Sequence, residues 1–388
     1  MAMAAICLLL VSSSQPSEAS KRHCHRHHPA KRHCHRGSKK HCHRHHPAKN
    51  HCHRGKKHCH RHHHHSAKKP CGPISGGLAP SLLWGAWIGT QFTGSEAPWD
   101  WNAVTAFEQG NAGGKHLSMV HWSSPFYSLA WCGGYCNFGT SMFQKVRDNG
   151  VIPFFSWADG VSDANVAAGA RDSYIRSWAS AAKSWGHPLF LRYAWEMNGS
   201  WFTWGVGNGA LGPPNTAADY VAAWRHVHDI FTSVGATNVS WVWCPNVDPG
   251  GKFANLASVY PGDSYVDWTC LDGYNRNDPW TSFSDLFGST YDKIMQIAPS
   301  KPMIIGEVAS TESGGSKAQW ITDMFAALPT RFPNIRGLLW QDKYEDGWDI
   351  PIETSPSSSA AFAAGVGSSA FTTNTFATLS ASPIPAGG

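Results

Sequence analysis

The sequence predicts one α/β domain over residues 78–370, a single closed (β/α)8 TIM barrel, and three observations carry this prediction. Eight short apolar runs recur along the stretch. Each run is nearly continuous in apolar residues, as strands buried on both faces are. Segments with helical periodicity separate the runs, which favours a parallel sheet closed by βα units. An open doubly wound sheet is the alternative, but no Gly-rich phosphate loop follows the first run.

The eight runs are the predicted strands. Catalytic residues of such barrels lie at the carboxyl ends of the strands, so the residues that close these runs are the candidates for chemistry. The runs are Leu82–Gly89, Leu117–Trp122, Val151–Trp157, Leu189–Trp195, Val239–Cys244, Trp268–Tyr274, Met303–Glu307 and Gly337–Trp340.

Three of the intervening segments show an apolar face at helical spacing. Gly150, Gly186 and Gly235 follow helical segments and predict where those helices end. Residues 371–388 are rich in Ser, Ala and Thr and predict a flexible C-terminal tail. The three apolar faces are Tyr174, Trp178, Ala181 and Trp185; Tyr220, Trp224, Val227, Phe231 and Val234; and Ile321, Met324, Phe325 and Leu328.

The first 19 residues resemble a signal peptide. An apolar run covers 4–11, and small residues occupy the usual cleavage positions at Ser17 and Ala19. The alternative is a disordered N-terminus. No other segment approaches a membrane span, so we expect a secreted, extracellular protein with no membrane partner.

A low-complexity, His/Cys/Arg-rich tail over residues 20–77 precedes the barrel. The tetrapeptide His-Cys-His-Arg recurs at 23, 33, 41, 51 and 58, and residues 21–69 hold 18 His and five Cys. With almost nothing apolar to bury, this segment is predicted to be disordered. Its side chains are ligands for Zn or Cu, and metal binding by the tail is therefore one hypothesis. A solvated basic linker or a cell-wall adhesion tail is the alternative.

Charge is divided unevenly along the chain. Residues 21–69 hold 16 of the 32 Lys and Arg, whereas residues 70–388 hold 16 basic and 25 acidic residues, a net charge of −9. An acidic barrel makes nucleic acid an unsuitable partner for that domain, although the basic tail could contact polyanions.

Four of the cysteines that follow the tail form two candidate disulfides. Cys132 and Cys136 are close enough in sequence for a small loop, while Cys244 and Cys270 lie on consecutive predicted strands. Both pairings fit an oxidising compartment. A metal site at Cys132 and Cys136 is the weaker alternative, since no second ligand pair stands near them.

Two glutamates occupy the strand ends where chemistry is expected. Glu196 directly follows the fourth run, and Glu307 ends the seventh. Cleavage of a glycosidic bond needs two carboxyl groups, one protonated to assist the leaving oxygen and one, in a retaining enzyme, ionised to attack the anomeric carbon. The alternative is that each Glu only pairs with a base such as Arg192 or Lys343. Two such carboxylates in one barrel favour catalysis.

At these motifs the chain resembles family 26 glycoside hydrolases, which are largely retaining endo-β-1,4-mannanases. The resemblance rests on Arg-Tyr-Ala-Trp-Glu-Met-Asn-Gly-Ser-Trp-Phe-Thr-Trp-Gly from Arg192 and on Pro-Met-Ile-Ile-Gly-Glu-Val from Pro302. It implies that Glu196 is the acid/base and Glu307 the nucleophile. It also implies that Trp201 contacts the sugar, that Tyr274 lies beside the nucleophile and that Trp340 floors the sugar site.

The residues themselves suggest further substrate contacts. Strand alternation predicts that Arg192 and Glu196 share one face, toward the barrel interior, where Arg192 could hold the nucleophile ionised or form a plain ion pair. Trp157, Trp201 and Trp204 could stack on sugars or pack in the core. His121 could reach a sugar hydroxyl or be a buried structural His.

One departure from the family leaves the polymer open. The family's mannanases carry His before the acid/base, and this chain has Trp195. The leading prediction is hydrolysis of mannan-type polysaccharide, with β-glucan or xylan as alternatives and a non-catalytic carbohydrate- or metal-binding protein as a further one. The chemistry requires no cofactor and no metal in the barrel, and we expect a monomer.

Overall fold

In the computed structural model, the described residues are 81–206, 215–276, 279–345, 347–373, 376, 379 and 382–386. The predicted signal peptide and the His/Cys-rich tail lie outside them. Eight parallel strands form a closed barrel, which confirms the predicted fold class. The strands are β1 Leu83–Ile88, β2 Met119–Pro125, β3 Ile152–Ala158, β4 Leu189–Tyr193, β5 Val239–Trp243, β6 Trp268–Asn275, β7 Met303–Ser310 and β8 Ile335–Asp342.

Each strand pairs with its neighbours in chain order, and β1 closes the ring against β8. The register places Ser156 of β3 beside Arg192 of β4 and Asp272 of β6 beside Glu307 of β7. Because successive side chains on a strand point to opposite faces, this register decides which residues enter the barrel and which meet the helices.

Helices follow the strands as the alternation predicts, except that β5 is followed by a short 3-10 turn at Leu256–Val259. The helices longer than five residues are α1 Trp101–Asn111, α2 Thr140–Asp148, α3 Asp172–Trp185, α4 Ala217–Val234, α5 Phe283–Ile297, α6 Lys317–Arg331 and α7 Pro356–Val366. Two shorter helical segments cover Leu129–Cys132 and Asp163–Ala167. In the part of the chain that the structure covers, no helix is long and apolar enough to cross a membrane.

Local signals set where these helices begin and end. Thr216 and Asp219 form a reciprocal capping box at the start of α4. Gly186 and Gly235 end α3 and α4 in the left-handed conformation that the sequence pattern predicts. The apolar faces of these helices pack on the outside of the barrel, as Trp178 shows by stacking on Trp157.

Beyond residue 370, three of the positions that the structure describes are packed against the barrel, although the composition predicts a flexible tail. Phe371, Phe376 and Ile384 are buried. The backbone oxygen of Ile384 accepts from Trp268 Nε1 at 2.8 Å, and its backbone N–H donates to Ser240 Oγ at 2.8 Å. Burial of these three large apolar side chains anchors positions 371, 376 and 384 to the barrel.

Two disulfides form between the predicted partners. Cys132–Cys136 closes the loop after β2, and Cys244–Cys270 joins the end of β5 to β6.

Candidate active site

The two predicted catalytic glutamates meet at the carboxyl-end mouth of the barrel. Glu307 projects from β7, and Glu196 lies three residues beyond the end of β4. A carboxylate oxygen of one lies within 4.8 Å of a carboxylate oxygen of the other. Both side chains are more than nine-tenths buried, with 6% and 7% of Glu196 and Glu307 exposed.

The backbone reaches this arrangement through two local irregularities. β4 ends at Tyr193, and Ala194 and Glu196 both adopt positive φ, at 43° and 52°. Such angles are costly for residues with a Cβ and cluster at functional sites. Strand alternation would place Glu196 on the same face as Arg192 only if the strand continued to Glu196. Because β4 ends at Tyr193, it is the two positive φ angles that turn Glu196 toward the face of the barrel on which Arg192 lies.

On β7, a bulge at Gly306 aims the following glutamate. Ile305 pairs with Leu271, but Glu307 pairs with the next residue, Asp272, so Gly306 is the extra residue. A Cβ at position 306 would lie 2.6 Å from Cys270 Sγ and 2.7 Å from Asp272 Oδ1. The site therefore needs glycine immediately before Glu307.

The carboxyl group of Glu196 is held by two donors. Trp201 Nε1 donates to Oε2 at 2.6 Å, and Asn246 Nδ2 donates to Oε1. Burial raises the pKa of Glu196 to about 7, and the nearby charge of Glu307 adds to the rise while both donors oppose it. Glu196 is thus a carboxyl group that holds its proton near neutral pH, as a general acid must.

Asn246 is fixed by a reciprocal pair with Asn198. Asn246 N–H donates to Asn198 Oδ1 at 2.8 Å, and Asn198 Nδ2 donates to the oxygen of Asn246 at 2.8 Å. This pair clamps the loop after β4 to the loop after β5. Residues 198–200, Asn-Gly-Ser, match the sequon for N-glycosylation, and this pair occupies the side-chain amide nitrogen of Asn198 to which a glycan would be attached.

Glu307 is held by Arg192 and Tyr274. Arg192 Nη2 donates to Oε1, and Tyr274 Oη donates to Oε2. Arg192 is fully buried and pairs through Nη1 with Asp272 at 2.5 Å. Burial opposes its charge, but the carboxylates of Asp272 and Glu307 together raise the pKa of Arg192. The guanidinium thus places a positive counter-charge directly against the carboxyl group of Glu307.

Below the guanidinium, Ser156 and His121 complete its contacts. Arg192 Nε donates to Ser156 Oγ at 2.7 Å, and Arg192 Nη2 lies 3.2 Å from His121 Nε2. Burial, together with the charges of Arg192 and Lys343, holds the pKa of His121 well below its usual range. Since guanidinium only donates, Nε2 is the acceptor and His121 is neutral with its proton on Nδ1.

Three carboxylates at the mouth, Glu196, Asp272 and Glu307, stand close enough together to suggest a metal site. Arg192 already bonds to two of them, so a cation there would have to displace a buried guanidinium. Cys244 and Cys270 share a disulfide and have no thiolate to offer. The arrangement fits acid/base and nucleophilic chemistry by side chains better than metal chemistry.

Three of the predicted sugar contacts lie at the mouth. Arg192 and Tyr274 bond to Glu307. Trp201 bonds to Glu196 with its ring 40% exposed, against Phe253.

Trp157 does not face the site. It is fully buried between the barrel and α3, where its Nε1 donates to Tyr174 Oη at 3.1 Å. Ser156 is the neighbour that enters the barrel, so Trp157 must point outward by alternation. The prediction that Trp157 stacks on sugar is wrong.

Trp340 and Trp204 are also packed inside the protein. Trp340 is fully buried against Trp320 and Phe362, so it lies on the helix side of β8 and does not floor a sugar site. Trp204 Nε1 donates to the oxygen of Trp195 at 2.6 Å, and its ring stacks on Phe202. Trp204 therefore fixes the loop that carries Trp201.

His121 has no route to a sugar hydroxyl, because it is fully buried beneath Arg192.

Three residues near the mouth were not singled out from the sequence, namely Asn246, Asp272 and Trp87, and Lys343 was considered only as an ion-pair partner of a glutamate. The Lys343 ammonium lies 3.9 Å from the centroid of the Trp87 ring, and the same ring meets His121 edge-on. Only Asp272, in Asp-Gly-Tyr at the end of a predicted strand, carried a sequence signal that could have found it.

The sequence profile of glycosyl hydrolase family 26 matches residues 159–355, a stretch that contains both glutamates. This chain belongs to glycosyl hydrolase family 26. The match begins after β3 and ends before α7.

Named relatives of this family 26 chain differ in their activities. Endoglucanase H of Acetivibrio thermocellus is 35% identical over 308 residues, which is 76% of this chain and 31% of that protein. Mannan endo-1,4-beta-mannosidase A and B of Caldalkalibacillus mannanilyticus is 30% identical over 172 residues, 42% of this chain and 31% of that protein. The chain thus spans about a third of the length of these relatives.

Solved structures share the fold. The catalytic domain of the GH26 endo-beta-1,4-mannanase of Bacillus sp. JAMB-750 has a TM-score of 0.58 at 19% identity, covering 76% of this chain and 88% of that one. The GH26 domain of an endo-beta-mannanase/endo-beta-glucanase from Prevotella bryantii has a TM-score of 0.55 at 14% identity, covering 76% and 92%.

Proposed function

We propose that this chain is an endo-acting β-glycanase that cleaves with retention of configuration, with Glu307 as nucleophile and Glu196 as acid/base. The observation that carries the proposal is the approach of the two carboxyl groups to within 4.8 Å. Retaining pairs stand about 5–5.5 Å apart, whereas inverting pairs stand further apart to admit a water molecule.

The surroundings divide the roles of the two glutamates. Glu196 holds a proton near neutral pH and can give it to the leaving oxygen. Glu307, paired with Arg192, attacks the anomeric carbon and forms a glycosyl ester. With Glu307 esterified, the like charge beside Glu196 is removed, so the pKa of Glu196 falls. Glu196 then acts as the base that activates water in the second step.

Azide rescue tests both roles. With an aryl β-glycoside, Glu307→Ala leaves a space from which azide attacks directly, giving the α-glycosyl azide. Glu196→Ala still forms the glycosyl ester because an aryl leaving group needs no acid, and azide then gives the β-glycosyl azide. Glu312→Ala, a change in the loop after β7, is the control and retains hydrolysis. Unimpaired turnover by Glu307→Ala, or azide products of the opposite configurations, contradicts the assignment.

The substrate that the motif resemblance implies is β-1,4-mannan. β-Glucan is the second candidate, and two observations favour it. The residue before Glu196 is Trp195, whose ring centroid lies 5.0 Å from the Arg192 guanidinium carbon, in place of a polar His. The relative with 35% identity is named as an endoglucanase.

Mannose and glucose differ only at carbon 2, where hydrogen bonds strengthen in the transition state. Kinetics on mannan, glucomannan, mixed-linkage β-glucan and xylan decide between the polymers. Hydrolysis of pure mannan at the highest kcat/KM supports the mannanase proposal, and preference for mixed-linkage β-glucan overturns it in favour of the second candidate.

The proposal includes secretion, which the two disulfides support because such bonds persist in oxidising compartments. Recovery of the protein from the culture medium with an N-terminus near residue 20 tests it. Retention of the whole chain inside the cell contradicts it.

A further inference from the structure

In the described part of the barrel, the large apolar side chains on the surface lie at the end where the strands finish. Among the described residues, eight large hydrophobic side chains are exposed, and all eight lie in loops that follow barrel strands. Four of them fall between residues 127 and 135. The eight are Trp99, Tyr127, Leu129, Trp131, Tyr135, Trp201, Phe253 and Tyr344. Four exposed large apolar side chains within nine residues, unlike single ones scattered over the surface, mark a candidate interaction site.

The loop after β2 gathers half of these residues, and we call residues 127–136 the aromatic hairpin. Strands Tyr127–Ser128 and Gly134–Tyr135 pair antiparallel around a helical turn at Leu129–Cys132. The Cys132–Cys136 disulfide closes its end. The hairpin contains no charged residue.

The aromatic hairpin is fixed to the barrel, so its exposed rings are presented in one arrangement. Tyr174 Oη donates to the oxygen of Cys136 at 2.6 Å, and the Tyr135 ring stacks on Tyr174 at 4.8 Å. Phe126, which precedes the hairpin, is fully buried against Trp157. A rigid platform binds with little loss of conformational entropy.

A continuous series of contacts joins the hairpin to the proposed acid/base. The Arg171 guanidinium lies 5.9 Å over the Tyr135 ring and pairs with Asp159 at 2.6 Å. Thr203 Oγ1 donates to the oxygen of Asp159 at 3.3 Å. Thr203 stands two residues after Trp201, which bonds to Glu196. The hairpin and the cleavage site therefore lie along one rim of the mouth.

We propose that the aromatic hairpin is a distal sugar-binding subsite, at which Trp131 and Tyr127 stack on rings of the polysaccharide away from the bond that is cleaved. This inference rests on the proposed endo-acting function. Flat aromatic rings with polar edges suit the apolar faces and hydroxyl rims of pyranose rings, and the absence of charge suits a neutral polymer. Continuity with the cleft points to the same chain that occupies the active site.

The experiment compares Trp131→Ala with Leu129→Ala in the full chain. Leu129 lies in the same hairpin and is 71% exposed, against 41% for Trp131, but has no aromatic ring. Trp131→Ala is expected to raise KM on polymer about tenfold, because truncating an aromatic anchor costs about 1.4 kcal/mol. The values of kcat on polymer and of kcat/KM on a short aryl glycoside stay unchanged, and Leu129→Ala changes KM by less than about twofold.

Equal KM values for Trp131→Ala and the wild-type protein overturn the subsite while leaving the proposed hydrolysis intact. A parallel loss on the short aryl glycoside shows a purely structural role and overturns it as well. Analytical ultracentrifugation tests whether a second copy of the chain, and not a polysaccharide, covers the hairpin. A dimer of the wild-type protein that Trp131→Ala dissociates contradicts the proposal.

A binding measurement tests the subsite independently of the proposed hydrolysis. The Glu307→Gln variant, with and without Trp131→Ala, is run in affinity electrophoresis in gels containing mixed-linkage β-glucan or glucomannan. If either polymer retards Glu307→Gln and the added Trp131→Ala reduces this retardation, the subsite is supported even if the wild-type protein hydrolyses neither polymer. Migration unaffected by both polymers overturns it.

Discussion

Arg192 of β4 donates a hydrogen bond from Nη2 to the carboxyl group of Glu307 on β7, although two other strands separate β4 from β7 in the barrel wall. The same guanidinium bonds to Asp272 and Ser156. One buried cation thus orients Glu307 and offsets the charge of a second buried carboxylate. Removing it leaves two buried acidic groups without a counter-charge.

Substitution of Arg192 is therefore expected to impair both stability and activity. Arg192→Met should lower the free energy of unfolding by about 3–5 kcal/mol, because it breaks a buried ion pair by removing one partner. Arg192→Lys keeps the charge but cannot bridge three acceptors, so kcat should fall by about 100-fold or more with partial recovery of stability. Urea unfolding and kinetics measure the two effects. Arg176→Met on the surface of α3 is the control, and near-wild-type kcat in Arg192→Lys contradicts the positioning role.

The pH dependence of kcat/KM should reflect the proton on Glu196. Its pKa is raised to about 7, so activity should fall as pH rises through about 7 and the general acid loses its proton. Asn246 donates to this carboxyl group and favours its ionised form. Asn246→Ala should therefore move the alkaline limb to higher pH. A shift to lower pH, or an unchanged profile, contradicts this assignment of the acid.

Sequence periodicity was sufficient for the barrel, because strands buried on both faces and helices buried on one have distinct patterns. It could not show which way a barrel strand faces. In β3 and β8 a polar residue adjoins each Trp, Ser156 beside Trp157 and Gln341 beside Trp340, but the strand pattern does not say which of the two faces the interior of the barrel. The expectation that Trp157 and Trp340 face the sugar site was therefore wrong. In the structure, the register with the adjacent strands places Trp157 and Trp340 on the face opposite to that of their neighbours Ser156 and Gln341.

The positions of both glutamates were predictable from the strand ends, but their orientation was not. Two positive φ angles aim Glu196, and a bulge at Gly306 aims Glu307. Asn246 escaped notice because it bonds to Glu196 from a loop fifty residues away in the chain. Contacts of this kind depend on closure of the barrel, which local sequence does not encode.

Tyr274 offers a test of the environment of Glu307 that leaves the ion pair intact. Tyr274→Phe removes only the hydroxyl that donates to Glu307 Oε2. A hydrogen bond to a charged group is worth about 1.5–3 kcal/mol, so kcat/KM should fall by about 10–100-fold. Circular dichroism and the thermal midpoint should stay close to those of the wild-type protein. A loss below about twofold shows that the hydroxyl contributes nothing to catalysis.

Measurements of stability and KM on Trp157→Ala show whether this residue belongs to the core or contacts the substrate. It packs among Phe126, Trp178 and Tyr174 without exposure, so Trp157→Ala should destabilise the fold by about 3–5 kcal/mol through a cavity. Below its unfolding temperature the variant should keep the KM of the wild-type protein, because the side chain touches no sugar. A raised KM in Trp157→Ala, at a temperature where circular dichroism shows the native fold, contradicts the placement of Trp157 on the helix side of β3.

Trp201→Ala is the variant for comparison. The exposed ring of Trp201 bonds to Glu196, so KM and kcat should change while the free energy of unfolding falls by less than about 1 kcal/mol.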